Sequence, residues 1–493
     1  MKRRNFLSAT AAAAGLTIIP RHVLGGMGYI APSDRLNLAC VGTGTQGTRV
    51  MLELLKLQDI QIVSLADPVK DDNRYQNWGE FELRNNIRRT IEEPLWDEGV
   101  KGCRAGREPA KRIVDTWYSK KQGTDYKACT AYEDFRELLE KETGIDAVVI
   151  AAPDHQHAQV AVKAMNKGKH VFCQKPMTNA VYEARLMAET ATKTGVATQV
   201  ATGNASSVDV DRLCELIWSG AIGPVREVFN WSNRPVWQAG FTQLPEEQKV
   251  PKGFNWDLWL GRAAERPFSY DYTHTVFRSW FDFGTGALGD MGCYSFSAIF
   301  RALKLGNVGS VEASGNTIVG LVNGNPQQIP YVSHPHAMNA HFTFPARAGM
   351  PAVELYWMDG GLKFPRPKEF DEDGMDFGPE GLLFVGDYGK ILCEFQGRNP
   401  RIIPLSRNKS LIKPPETIER SKGHIPDWIE ACRGGKKARC TFESAAPITE
   451  ALNLGIIAMR TRKRLTWDPV NFKTNNEDAN KLLKPTYRAG WEL

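Results

Sequence analysis

Three glycines near the start of the chain are spaced to hold a dinucleotide. The apolar run Leu36 to Val41 leads into Gly42-Thr43-Gly44-Thr45-Gln46-Gly47, and an amphipathic helical segment follows. In such a strand–turn–helix unit, the first glycine permits the tight turn, the second lets the backbone approach a pyrophosphate, and the third lets helix and strand pack closely. We expect the phosphates at the helix N-terminus, beside Thr45 and Gln46, because free N–H groups and the helix dipole favour an anion there.

The end of the next strand distinguishes between the two nicotinamide cofactors. The apolar segment Ile60 to Ala66 ends at Asp67, twenty residues after Gly47. A carboxylate at this distance accepts hydrogen bonds from the adenosine ribose hydroxyls and repels a 2′-phosphate, and the residue that follows is Pro68 instead of arginine. The pattern therefore predicts that the cofactor is NAD.

Lys175 is placed to act on a substrate beside the nicotinamide. It follows the short strand His170 to Cys173, and Rossmann folds bind their ligands at the carboxyl ends of strands. Oxidation of a secondary alcohol needs a base for the hydroxyl proton, while the cofactor accepts the hydride. We expect a lysine between a cationic nicotinamide and a polar substrate to titrate near neutral pH. The alternative is a surface lysine held by carboxylates.

Two further catalytic candidates share one helix face after a glycine-rich turn. Asp290 is placed to orient substrate hydroxyls or Lys175, and Tyr294 follows one turn later. Tyr294 is either an acid/base or a hydrogen-bonding and packing residue, because the unperturbed pKa of tyrosine is about 10.

Aromatic side chains indicate the class of substrate. Five tryptophans fall close together in the chain: Trp231, Trp237, Trp256, Trp259 and Trp280. Aromatic rings stack well on the apolar faces of pyranose rings, so we predict a sugar site in which His155, Arg278 and Trp280 contact the substrate. His155 and His157 flank a cofactor loop, and no matching carboxylate cluster accompanies them. A metal site is therefore not predicted.

Alternating strands and helices position these residues in the first half. Apolar periodicity predicts helix Tyr132 to Thr143, strand Ala147 to Ala152, helix Ala158 to Asn166, strand His170 to Cys173, helix Ala180 to Thr194 and strand Ala197 to Ala201. Such alternation implies a parallel sheet with crossovers on both faces. Residues 35–202 are thus predicted to form an N-terminal Rossmann NAD-binding domain.

A long segment interrupts this alternation. Residues from about 69 to 129 are rich in charged and aromatic side chains, and Arg84 to Ile91 and Pro109 to Tyr118 have helical patterns. A structureless loop of this length is uncommon in a compact domain. We interpret the segment as a helical insertion that forms an oligomer contact, which is the favoured alternative, or covers the cofactor.

The second half has the pattern of a different domain. Strand-like segments are separated by loops: Val225 to Trp231, Val311 to Val319, His336 to Phe344 and Ala352 to Trp357. Helices are predicted at Ile425 to Cys432 and Ala445 to Thr461. The predicted fold class is α/β, with a C-terminal α+β domain at residues 203–493 for substrate binding and oligomerisation. Its large, mostly antiparallel open sheet favours a homodimer or homotetramer.

Taken in order, the motifs resemble those of the Gfo/Idh/MocA oxidoreductases. Besides the glycine turn, the matching segments are Ala151 to His157, Gly168 to Pro176, Trp256 to Gly261 and Gly284 to Cys293. The resemblance implies cofactor contacts at Pro153, His157, Gln174 and Lys175. The family's usual Glu-Lys-Pro reads Gln174-Lys175-Pro176 here, and Tyr294 stands where the family often has a catalytic histidine.

Composition restricts the partners. With 42% hydrophobic and 24% charged residues, the chain has the composition of a globular protein. Much of its net charge of +6 lies in the first thirty residues, which contain no acid, so a basic face for nucleic acid is not expected. Nine cysteines without a Cys-x-x-Cys pair argue against a zinc ribbon or a disulfide scaffold.

The first residues resemble an export signal of the twin-arginine type. Arg3-Arg4 precedes Asn5-Phe6-Leu7 and the apolar run Ala9 to Ile19. Because a bilayer span takes about 20 apolar residues, this run is too short for one, and no integral membrane span is expected in the mature form. Residues 1–30 are therefore predicted to engage the twin-arginine export machinery, giving a periplasmic or otherwise exported protein.

These observations leave three functional hypotheses. The first is an NAD-dependent oxidoreductase acting on a secondary alcohol of a sugar, glycoside or polyol, for instance a glycoside 3-dehydrogenase. It would carry its NAD tightly bound, because free NAD is scarce outside the cytoplasm. The alternative is an NAD-dependent glycosidase that works by oxidation, elimination, hydration and reduction. The third is a non-enzymatic protein that keeps a Rossmann fold with a degraded site.

Overall fold

The apolar runs of the first half form the predicted strands and helices. The computed structural model describes residues 34–122, 125, 127–347, 349–410 and 414–493, so the predicted signal segment lies outside the described residues. In chain order, the first elements are β1 (Leu36–Val41), α1 (Thr45–Leu54), β2 (Ile60–Ala66), β3 (Asp72–Tyr75), α2 (Glu82–Ile91), β4 (Cys103–Ala105), α3 (Arg107–Gln122), β5 (Thr130–Tyr132), α4 (Phe135–Lys141), β6 (Ala147–Ile150), α5 (His157–Asn166), β7 (His170–Cys173), α6 (Val181–Thr194) and β8 (Thr198–Val200).

Within these described elements, six strands make a parallel sheet in the order β5-β2-β1-β6-β7-β8. The chain moves outward from β1 in one direction and then from β6 in the other, so the sheet has its switch point between β1 and β6. Open α/β sheets bind their ligands at this point, beyond the carboxyl ends of the strands. The Rossmann prediction is confirmed.

The predicted helix Tyr132 to Thr143 is shorter in the structure. Its first residues form strand β5 at the edge of the sheet, and helix α4 begins only at Phe135. Asp134 sets this boundary, because its carboxylate accepts a hydrogen bond of 2.8 Å from the N–H of Arg136 and caps the helix.

The segment between β2 and β5 contains both predicted helices, α2 and α3, and an antiparallel pair of short strands, β3 and β4, that the sequence did not predict. Helix α2 lies between the two strands of this β3–β4 pair in the chain. The residues that lead into β3 bond to the second half of the chain. Lys70 N donates to the carbonyl oxygen of Gly253 at 2.7 Å, and Asn255 N donates to that of Pro68 at 3.0 Å.

The second half is built around a larger mixed sheet. Its elements are α7 (Val208–Trp218), β9 (Val225–Trp231), α8 (Trp256–Leu260), α9 (Gly286–Leu303), β10 (Ser310–Gly315), β11 (Ile318–Val322), β12 (Asn325–Ile329), β13 (Met338–Phe344), β14 (Val353–Met358), α10 (Lys368–Glu372), β15 (Gly381–Gly386), β16 (Lys390–Glu394), β17 (Arg398–Ile403), α11 (Leu405–Ser410), α12 (His424–Cys432), α13 (Phe442–Thr461), β18 (Leu465–Asp468), β19 (Lys473–Thr474) and α14 (Glu477–Asn480).

In the part of the chain that the structure describes, nine strands form this sheet in the order β17-β16-β15-β9-β14-β13-β10-β18-β19. Only the β9–β14 pair within it is parallel, so the predicted mostly antiparallel sheet is confirmed. The predicted strand Val311 to Val319 is divided between β10 and the separate β11–β12 hairpin. Helices α9 and α13 pack together beside the sheet.

The end of the chain returns to the Rossmann half. Trp428 of α12 is buried in the core that contains β1 and β2, and Trp491 lies against Phe135, with their ring centroids 6.2 Å apart. The two halves therefore share core residues and enclose one cleft between them. Among the described helices, none is long and apolar enough to cross a membrane.

Candidate active site

A cleft of about 340 Å³ opens at the switch point of the parallel sheet. The glycine turn forms one wall, with Gly42, Gly44, Thr45 and Gln46 lining it. Gly42 has a φ of +86°, and a Cβ there would overlap the backbone of Ala151 and Ala152. A Cβ at Gly47 would overlap the carbonyl oxygen of Gly42. Both positions therefore require glycine for the close packing that the sequence predicted.

The N-terminus of α1 is left open toward the cleft. Its N-cap residue is Gly44, which has no side chain that could hydrogen-bond to the first N–H groups of the helix. These N–H groups and the helix dipole form a binding site for a phosphate group. The turn thus fits the pyrophosphate of a dinucleotide.

Asp67 lines the same cleft, 5% exposed. Its carboxylate accepts hydrogen bonds from Thr43 N at 2.6 Å, Thr43 Oγ1 at 3.2 Å and Val69 N at 2.8 Å. A carboxylate offers about four acceptor positions, so one remains with respect to the described residues. Burial raises the pKa of Asp67, and these hydrogen bonds oppose the rise. The remaining position suits a ribose hydroxyl, as the sequence predicted.

The β3–β4 pair of the inserted segment covers the glycine turn. Tyr75 packs against Gly44, and its ring lies 3.8 Å from the ring of His274, centroid to centroid. Asp72 accepts a hydrogen bond from Tyr270 Oη at 3.2 Å and lies 3.4 Å from His274 Nε2. Burial raises the pKa of Asp72, but the nearby His274 and the hydrogen bond from the N–H of Arg74 lower it by more, so its pKa lies below the ordinary value. The insertion thus places strand β3 over the glycine turn, and both alternatives, an oligomer contact and a cover over the cofactor, stay predictions.

Two loops at the carboxyl ends of β6 and β7 form the cleft floor, with Pro153 and Gln174 among the lining residues. His157 fastens these loops together. Its Nδ1 lies 2.9 Å from the carbonyl oxygen of Pro176, and its Nε2 lies 2.8 Å from that of Ala152. Burial lowers the pKa of His157. His157 thus positions the cofactor loops from behind.

Lys175 and Arg278 converge on Asp290 at the second wall. Lys175 Nζ donates to Asp290 Oδ1 at 2.8 Å and to the Asp290 carbonyl oxygen at 2.9 Å, and Arg278 Nε donates to the same Oδ1 at 2.9 Å. The glycine-rich turn before α9 permits this approach, because a Cβ at Gly284 would overlap the backbone of Arg278. Both cations and the carboxylate line the cleft.

The ion pair fixes the charges of this cluster. Burial alone lowers the pKa of Lys175, but the Asp290 carboxylate outweighs it and holds that pKa above its ordinary value. Burial alone raises the pKa of Asp290, but Lys175 and Arg278 hold it well below its usual range. The expectation that Lys175 titrates near neutral pH is therefore not supported by its surroundings here, because a carboxylate at hydrogen-bond distance stabilises the ammonium form.

Two family models match the chain. The model described as "Oxidoreductase family, NAD-binding Rossmann fold" matches residues 107–202, and the one described as "Oxidoreductase family, C-terminal alpha/beta domain" matches residues 209–312. Residues 107–202 and 209–312 thus match the two domain models of the Gfo/Idh/MocA oxidoreductase family. NAD is accordingly the cofactor of its Rossmann domain, in agreement with the fit of the glycine turn.

Curated relatives match shorter stretches. The chain is 27% identical over 174 residues to a glycosyl hydrolase family 109 protein of Stenotrophomonas maltophilia, covering 35% of this chain and 29% of that protein. It is 41% identical over 68 residues to the scyllo-inositol 2-dehydrogenase (NAD(+)) of Bacillus subtilis, covering 14% of this chain and 20% of that protein. The matches thus span less than a third of these relatives.

Solved structures share the fold along most of the chain. The WlbA dehydrogenase from Bordetella pertussis, solved in complex with NADH and UDP-GlcNAcA, matches with a TM-score of 0.52 at 12% identity, covering 88% of this chain and 99% of that chain. An NAD-binding oxidoreductase from Klebsiella pneumoniae matches with a TM-score of 0.51 at 18% identity, covering 88% and 99%. At these identities the likeness shows the fold alone.

Tyr294 lies in the cleft one helical turn after Asp290, at the position where the Gfo/Idh/MocA resemblance led us to expect histidine. Lys175 Nζ lies 4.8 Å from the centre of its ring, within the range of a cation–π contact. Burial raises the pKa of Tyr294, so its hydroxyl stays protonated near neutral pH. These are contacts of the ring, which favour a packing role, and a catalytic role for Tyr294 stays a prediction.

Two residues predicted to contact substrate lie behind the cleft walls. His155 is fully buried against Trp259 and Phe283, its Nε2 lies 3.1 Å from the Trp259 carbonyl oxygen, and burial lowers its pKa to about 3. Trp280 is 2% exposed, stacks on Phe241 and donates to the carbonyl oxygen of Asp271. Both side chains are packed in a core and neither lines the cleft, whereas Arg278 does. The substrate contacts predicted for the three residues stay predictions.

Among the cleft-lining residues that were not predicted from the sequence are Tyr75, Asp154 and His274. Asp154 lay within the quoted motif, directly after Pro153 at a strand end, and that position was the available signal. Tyr75 and His274 come from segments without a regular pattern, and the fold brings them together.

Proposed function

We propose that this protein is an NAD-dependent oxidoreductase that oxidises a secondary alcohol of a sugar, glycoside or polyol by hydride transfer to tightly bound NAD. The observation that carries the proposal is the convergence of Lys175 and Arg278 on Asp290 in the cleft that also contains the glycine turn. Such a polar cluster at the switch point is suited to a hydroxylated substrate.

The side chains of the cluster have separable roles. NAD, when bound, supplies the hydride acceptor. A lysine ammonium has three N–H donors, and two of those on Lys175 are directed to Asp290. With respect to the described residues the third is available, and in the proposal it donates to the substrate oxygen. Asp290 holds Lys175 and Arg278 in place for this contact.

The named relatives support a polyhydroxylated substrate. One acts on scyllo-inositol, and another belongs to a glycosyl hydrolase family. Oxidation at C3 of a glycoside is one form that the proposal includes. The second relative favours an alternative, a glycosidase in which oxidation acidifies the neighbouring C–H, the aglycone is eliminated, and water addition and reduction restore the sugar.

Incubation of the purified protein with 4-nitrophenyl glycosides, without added NAD, separates the two. A keto-glycoside that keeps its aglycone, together with reduced bound NAD, is the result expected for the dehydrogenase. Release of 4-nitrophenol with an unchanged sugar and no net NAD reduction would instead establish the glycosidase. Neither product from any glycoside or polyol tested would contradict the proposal.

We also propose that the protein is exported in folded form with its NAD bound, and that it works in the periplasm as a homodimer or homotetramer. The twin-arginine-type sequence of residues 1–30 supports export. The expected result is a periplasmic protein in wild-type cells that stays in the cytoplasm when Arg3 and Arg4 are both replaced by lysine. Periplasmic accumulation of that double variant would contradict twin-arginine export.

A further inference from the structure

Asp154 is a buried carboxylate in the cleft for which the ion-pair cluster provides no partner. It follows Pro153 at the carboxyl end of β6, lines the cleft and is only 2% exposed. Its Oδ2 accepts a hydrogen bond from Thr285 Oγ1 at 3.2 Å, and Thr285 is itself buried at the start of α9. The described residues give Oδ1 no hydrogen bond, so this oxygen of a cleft-lining carboxylate is available to a substrate hydroxyl.

We infer that Asp154 is the catalytic base that removes the hydroxyl proton of the substrate, an assignment that rests on the proposed oxidoreductase function. In the balanced step, the substrate O–H proton passes to Asp154 Oδ1 and the carbon–oxygen bond becomes a carbonyl, while NAD, when bound, would supply the acceptor for the C–H hydride. The products are the ketone, NADH and a protonated Asp154, which returns its proton to solvent when the product leaves.

The electrostatic surroundings of Asp154 suit this role. Burial raises its pKa, the positive charge of Arg278 lowers it, Asp290 raises it and Lys175 lowers it, and the result is a pKa of about 7. A base titrating near the working pH balances the fraction of ionised form against proton affinity. The thiols of Cys173 and Cys293 also interact with Asp154, and burial raises the pKa of both, so they stay neutral.

The other titratable groups of the cleft are less suited to the task. Lys175 is stabilised as an ammonium and Asp290 as a carboxylate, and the raised pKa of Tyr294 keeps its hydroxyl protonated. His274 lies at the opposite end, against Tyr75 at the glycine turn. Charge also favours Asp154. Its ionised form attracts the positively charged nicotinamide of NAD, and the neutral nicotinamide of NADH does not disfavour its protonated form.

The test measures single-turnover reduction of bound NAD at pH 5.5–9. The probe is whichever of myo-inositol, D-glucose and 4-nitrophenyl β-D-glucoside the wild type oxidises fastest. Since the base must be ionised, the wild-type rate should rise with pH around a midpoint near 7. Asp154→Asn keeps the shape and the acceptor for Thr285, and should lower the rate by about 10²- to 10⁴-fold while NAD stays bound. Asp478→Asn, an exposed site, is the matched control.

A second variant keeps the inference open to contradiction if Asp154→Asn is too slow to profile. The Thr285 hydroxyl stabilises the Asp154 carboxylate, so Thr285→Val should move the midpoint to higher pH. An Asp154→Asn rate within about fivefold of wild type, or an unmoved midpoint in Thr285→Val, would overturn the assignment of the base alone. Failure of the wild type to oxidise any probe would contradict the proposed function, and the role of Asp154 with it.

Discussion

Individual side chains at the carboxyl ends of β6 and β7 carry most of the chemistry. The sequence predicted that Asp290 lies near Lys175, because one follows a glycine-rich turn and the other a strand end, and the ion pair confirms this. Arg278 was predicted only as a substrate contact, and its bond to Asp290 was not foreseen. The sequence could not predict the pKa of Lys175, which depends on an ion pair between residues more than a hundred positions apart. For the same reason His155 and Trp280 were assigned to substrate from residue type, whereas apolar packing placed them in the core.

Replacement of Lys175 tests the central side chain. Lys175→Met keeps the aliphatic stem and removes the ammonium, so the donor to the substrate oxygen is lost, and Asp290 keeps only Arg278 as its cationic partner. We expect kcat to fall at least about 10²-fold, with NAD binding unchanged. Steady-state kinetics and NAD titration by protein fluorescence measure the two effects. Lys481→Met on the surface serves as control, and full activity of Lys175→Met would show that the site is wrongly assigned.

Secondary-structure elements were predicted better than the contacts between them. The parallel strands and their helices follow apolar periodicity, and the sequence placed β7 and β9 at their observed bounds. The β3–β4 pair was missed because its strands are short, polar and half exposed, so they lack the alternation that marks a strand. Helix α7 was also missed. The position of the β3–β4 pair over the glycine turn follows from its contacts with residues 270–274, which are distant in the chain.

The β3–β4 pair is expected to slow the loss of NAD. Asp72 links it to Tyr270 and His274 over the glycine turn, and Asp72→Ala removes both contacts. We predict that this variant releases bound NAD at least about tenfold faster, which corresponds to a loss of about 1.4 kcal/mol. Dialysis followed by nucleotide quantification measures the loss. Asp478→Ala is the control. If the Asp72 variant retained as much NAD as the wild type, the β3–β4 pair would not be a barrier to release.

The two halves of the chain share more of their cores than the sequence indicated. The α/β class and the mostly antiparallel sheet were predictable, because each depends on local periodicity. The return of α12 and Trp491 to the Rossmann core was not, since burial in a distant core leaves no local pattern. The predicted domain boundaries and the homodimer or homotetramer stay predictions.

Residues of both halves of the chain line the cleft. We therefore expect the purified full-length protein to carry its cofactor. Mass spectrometry of the nucleotide released on denaturation tests this most directly. We expect NAD, approaching one molecule per chain, because Asp67 disfavours a 2′-phosphate and the β3–β4 pair is expected to slow release. Recovery of NADP, or of no nucleotide from a protein that also fails to bind added NAD, would contradict this expectation.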